Sequence, residues 1–88
     1  SANYVGDRIK LGKVLGKEIL IHKYKIELSK YTKKVGDLYM CLQITHNDEL
    51  MIANTIAKGL MKIIQEIPED EFPFLTKIVS NNDVYMFT

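Results

Sequence analysis

The sequence has no tryptophan, one cysteine, two prolines and two histidines in 88 residues. A single cysteine makes no internal disulfide, and Cys41 with only His22 and His46 falls short of a structural zinc site. Cys41 therefore reads as a small residue packed in a strand, and a reducing cytoplasm is its expected compartment. No apolar run approaches the roughly 20 residues that span a bilayer. No basic segment leading into an apolar run and a small-residue cleavage site opens the chain, so neither membrane insertion nor secretion is expected. A glycine-rich phosphate loop and a nucleophile elbow are both missing. His22 stands among apolar neighbours and His46 in a polar turn, neither beside a carboxylate and a nucleophile. The acidic pairs and runs, Asp48-Glu49 and Glu69-Asp70-Glu71, read as solvated surface. The expectation is a non-catalytic protein with no cofactor and no metal.

What is present is the composition of one globular domain, 47% hydrophobic and 26% charged. The net charge of +1 conceals an asymmetry. Nine Lys or Arg and three acids lie between Ser1 and Gly36; three Lys and eight acids lie between Asp37 and Thr88. The halves thus carry +6 (nine minus three) and −5 (three minus eight). A basic half offers a positive face to a polyanion.

Residues 1–16 are mixed, and Gly12 and Gly16 argue against a long helix, so they read as an extended arm or short strand ahead of a domain over 17–88. Lys17 to Leu28 alternates with a period of two and is rich in β-branched residues, which predicts a long strand. Strict alternation puts Leu20, His22, Tyr24, Ile26 and Leu28 on one side and Ile19, Ile21, Lys23, Lys25 and Glu27 on the other. Ser29 to Asp37 is a polar loop holding Gly36. Asp37 to Thr45 is a second strand, with Leu38, Met40, Leu42 and Ile44 facing a core and Tyr39, Cys41, Gln43 and Thr45 on a mixed face. His46 to Glu49 is a tight hairpin turn into a third strand, Leu50 to Asn54. The period then changes: Ile56, Leu60, Ile63 and Ile67 predict an amphipathic helix of about three turns, capped at Asn54 or Thr55 and stopped by Pro68. Phe72 to Val79 is a fourth strand, Ser80 to Asp83 a turn, and Val84 to Thr88 a fifth.

This order, with the helix between the third and fourth of five strands, leaves edges and an apolar face to be covered. Closure into an OB-type barrel with the helix at one end covers both, and that mainly-β fold is the expectation. The rival is an open antiparallel sheet with the helix on one face.

Single-stranded nucleic acid is held by cations that track phosphates and rings that stack on bases. Lys23 and Lys25 project together from the first strand, Tyr39 and Gln43 from the mixed face of the second, and the loop between them carries Lys30, Tyr31, Lys33 and Lys34. In an OB-fold this strand face, with the first and last hairpin loops, forms the binding groove. Tyr31 is the sharpest candidate, a ring in an otherwise polar, basic loop; Tyr85 offers another on the last strand. Tyr24, Phe72, Phe74 and Phe87 read as core.

The run LGKVLGKEILIHKYKI with its SKY loop, the stretch IPEDEFPFLTKIV and the closing VYMFT together resemble the small single-stranded-DNA-binding proteins of phages and mobile elements in Gram-positive bacteria. The resemblance spans Val5 to Thr88 and implies an OB-fold, a cytoplasmic location and a part in element-encoded replication or recombination. It also allows a second role, as an accessory subunit docked on a polymerase, primase or helicase. The acidic second half and apolar Met51, Ile56 and Met86, if exposed, are the features that would serve such docking.

Overall fold

The computed structural model describes residues 4–29 and 37–88. The elements in chain order are β1 (Asp7–Lys10), a 3-10 turn (Leu11–Val14), β2 (Glu18–Leu28), β3 (Leu38–His46), β4 (Glu49–Thr55), α1 (Lys58–Ile64), a second 3-10 turn (Glu69–Glu71), β5 (Phe74–Asn81) and β6 (Val84–Phe87). The strands form one open sheet in the order β1-β4-β3-β2-β5-β6. The protein is mainly β with one helix between the strands expected as third and fourth, as the patterning predicts.

Two features correct the barrel. Closing the row β4-β3-β2-β5-β6 on itself would require β4 to pair with β6; instead β4 gives its second edge to β1. The pairing is parallel, Asp7 opposite Met51 through Lys10 opposite Asn54, while the other neighbours are antiparallel. The sheet therefore has six strands and two separate edges rather than five strands in a closed ring. The sixth strand comes from the segment ahead of β2, whose next turn also sends Leu11 and Val14 into the core.

The second correction concerns β2. Its ladder with β3 shifts register between Ile21 and Lys23, leaving His22 in a bulge. An extra residue reverses the alternation. Ile19 and Ile21 before the bulge therefore share the core face with Tyr24 and Ile26 after it, and Lys23 and Lys25 turn outward. Strict alternation had divided these apolar residues between two sides; the bulge reunites them. His22 Nε2 is hydrogen-bonded to Thr45 Oγ1 at 2.7 Å.

The core face collects Ile19, Ile21, Met40, Leu42, Ile44, Ala53 and Ile78 from the strands, covered by Leu60, Met61 and Ile64 of α1. Tyr24, Phe72, Phe74 and Phe87 pack beside it as a chain of rings 5.2–6.2 Å apart, in the core role expected of them. The helix has seven residues, shorter than the three turns expected, because β4 runs through Thr55 and Ile56 faces solvent. Thr55 does not cap it; its Oγ1 instead accepts the N–H of Ala57 ahead of the first turn. The β3–β4 and β5–β6 hairpins each turn on an Asn–Asp pair at positive φ, Asn47-Asp48 and Asn82-Asp83, where these short polar residues tolerate the left-handed region.

Candidate nucleic-acid interface

The outward face of the sheet is built from register. Arg8, Ile52, Gln43 and Lys23 stand in one cross-strand row over β1, β4, β3 and β2. Lys10, Asn54, Cys41 and Lys25 stand in the next. Each row has a cation at both ends, about 14 Å apart across three strand spacings, and the rows are about 7 Å apart. Arg8 and Lys10 were not anticipated. Their signal was the alternation Arg8-Ile9-Lys10, in which Ile9 alone turns to the core.

The middle of this face is covered. Gln43 is only 3% exposed, though it belongs to the face the sequence marks as mixed. Its Oε1 accepts the N–H of Val5 at 2.7 Å, and its Nε2 donates to the carbonyls of Val5 at 2.8 Å and Met51 at 2.9 Å. The expectation of Gln43 as a ligand contact is thereby corrected: its amide is committed to the chain itself. Cys41 and Ile52 of the same rows are buried as well. Gly6 makes the crossing possible, with φ of +105° and a carbonyl, Leu50 O, 2.1 Å from where a Cβ would stand.

Beyond Val5, the ring of Tyr4 is flanked by the Lys23 and Lys25 ammonium groups, 4.7 and 4.8 Å from its centroid. This is cation–π geometry. Burial raises the Tyr4 hydroxyl above its ordinary pKa against the opposing pull of Lys25. Lys25 also pairs with Glu27 at 3.0 Å, and the hydrogen bond it donates to that carboxylate raises the lysine pKa in turn.

A cavity of about 690 Å³ opens where β4 and β6 fail to meet. Lys10, Tyr39 and Asn54 line it from the outward face, Asp83 and Tyr85 from the last hairpin. Asn54 Oδ1 is buried without a hydrogen-bond partner among the described residues. Tyr39 and Tyr85 both line this groove. Lys30, Tyr31, Lys33 and Lys34 lie outside the described residues; the strands on either side of them are joined by Ser29 N–H donating to Asp37 O at 2.8 Å.

Farther along the same face, Leu50, Thr45, Leu20 and Leu75 form an apolar row, and Val79 and Met86 pair beyond it. Leu75 is 63% exposed and Met86 38%. Ile56 is exposed as well, whereas Met51 packs against the core. Among the described residues no three His, Cys, Asp or Glu are grouped as metal ligands, and no helix is long and apolar enough to cross a membrane.

No curated protein and no solved structure matches the chain. A family model does match, over residues 5–88, and the chain accordingly belongs to the family described as domain of unknown function DUF8468.

Proposed function

We propose that this domain binds single-stranded DNA without catalysing a reaction, in the replication or recombination of a phage or mobile element. The observation that carries the reading is the pair of cross-strand rows ending in Arg8, Lys10, Lys23 and Lys25. Cations spaced along β1 and β2 can follow a sugar–phosphate backbone, and the groove beside Lys10 holds the Tyr39 and Tyr85 rings for bases. The groove opens between β4 and the last hairpin, and the use of the comparable strand face and loops by OB-folds to take up nucleic acid supports the reading. The resemblance noted in the sequence supports DNA and a mobile-element setting.

Fluorescence anisotropy with a labelled oligo-dT, titrated at low and moderate salt, tests the reading. Binding that weakens steeply with salt is expected, because neutralising phosphates releases counterions. Absence of binding at low salt would refute it.

A second reading rests on the apolar row at the other end of the face, with Leu75 and Met86 exposed. Such a patch fits docking on a replication polymerase, primase or helicase. It uses residues separate from the basic rows, so one face serves both tasks.

A further inference from the structure

Tyr4 lies on the outward face against two cations. Its ring lies against two ammonium groups, Lys23 at 4.7 Å and Lys25 at 4.8 Å, at the ends of the two cross-strand rows. The segment that brings it there is anchored through backbone groups, since Gln43 grips the N–H and carbonyl of Val5 rather than a side chain. It crosses the face at Gly6, the one residue type that fits over the Leu50 carbonyl. The chain has in effect laid a planar ring, followed by a length of backbone, across its own basic surface.

We infer that the Lys23–Lys25 position is a nucleobase site, filled in the free protein by the Tyr4 ring and vacated when a single strand binds. The inference rests on the nucleic-acid reading above and deepens it. A nucleobase presents a π-face of the same kind as tyrosine. It also arrives with a phosphate, whose charge-assisted hydrogen bond to a lysine ammonium is stronger than one to a neutral phenol oxygen. Exchange of Tyr4 for a base and its phosphate therefore favours the strand, and the fraction of molecules with the ring in place lowers the apparent affinity.

Two measurements on the full chain test the exchange. The first compares oligo-dT affinity of the wild type with that of Tyr4→Ala at one salt concentration. The second follows the Tyr4 ring signals by NMR as oligo-dT is added to the wild type. Expected results are binding about tenfold tighter in the variant, equivalent to about 1.4 kcal/mol, and ring signals that move to the positions of an unstructured tyrosine at saturation. Equal or weaker binding by Tyr4→Ala, with wild-type ring signals that stay in place, would make Tyr4 a fixed part of the surface and overturn the exchange alone. Failure of both proteins to bind would overturn the exchange together with the nucleic-acid reading.

Discussion

The side-chain amide of Gln43 satisfies both backbone groups of Val5, accepting its N–H at 2.7 Å and donating to its carbonyl at 2.8 Å. This reproduces, with one side chain, the double bond that a neighbouring strand would make. It ties the start of the chain to the middle of the sheet, 38 residues away. Replacing Gln43 by Ala removes three hydrogen bonds at a buried site, the Met51 carbonyl losing its donor as well. A loss of about 2–3 kcal/mol is expected, since each bond contributes about 1 kcal/mol and the Met51 carbonyl stays largely enclosed. Urea denaturation measures it.

Two glycines should respond in opposite directions. At Gly6 a side chain would meet the Leu50 carbonyl carbon at 2.7 Å and its oxygen closer still, in a backbone conformation of φ +105°. Gly6→Ala should destabilise by about 2–4 kcal/mol, combining backbone strain with a forced shift of β4. Gly59, in the first turn of α1, faces open space and has ordinary helical geometry. Gly59→Ala should stabilise by about 0.5–1 kcal/mol through helix propensity. Thermal melts of the two variants beside the wild type check both signs.

The Tyr4 pocket predicts an alkaline transition. Burial raises the Tyr4 hydroxyl above 10.0, and the Glu27 hydrogen bond raises Lys25 above 10.5. A group whose folded pKa is raised holds its proton more tightly in the folded state. Its stabilisation is complete below the unfolded value and is lost as pH climbs through the folded one. Attachment of the segment should therefore be insensitive to pH below about 10 and weaken above it. A tyrosinate absorbance titration should show a late-ionising component that Tyr4→Phe removes. Loss of an ordinary rather than a late component in Tyr4→Phe would contradict it.

Much of the fold was legible because its signals are local. The alternation in Asp37 to Thr45, the two Asn–Asp turns and the shift to helical period after Thr55 each lie within a few residues. What escaped depends on distant partners. Residues 1–16 read as an arm or short strand, but with Ile9 as the one core-facing apolar residue of β1 its parallel pairing with β4 had no local signal. No local pattern tells whether β4 meets β6 or another strand, so the sequence could not choose the open-sheet rival over the barrel. The bulge at His22 did leave a trace, since the apolar positions change parity between Ile21 and Tyr24. Gln43 looked solvent-facing because a polar residue on a mixed face normally is; only the arrival of Val5 makes it internal. At the site, Lys23, Lys25 and Tyr39 were readable from spacing, whereas Arg8, Lys10 and Tyr4 join them through tertiary placement alone.

The central claim is that the two cation-ended rows hold a single strand, and its most direct measurement is the salt dependence of oligo-dT affinity in charge variants. Four phosphate contacts give a slope of log affinity on log salt of about −2.8, and removing two gives about −1.4. The Arg8→Ala/Lys10→Ala variant should show that reduction and weaker binding. Lys77→Ala, which removes a charge opposite Glu18 and outside the rows, should keep the wild-type slope. A wild type that fails to bind at low salt, or a slope that falls as much in Lys77→Ala as in the double variant, would contradict the account.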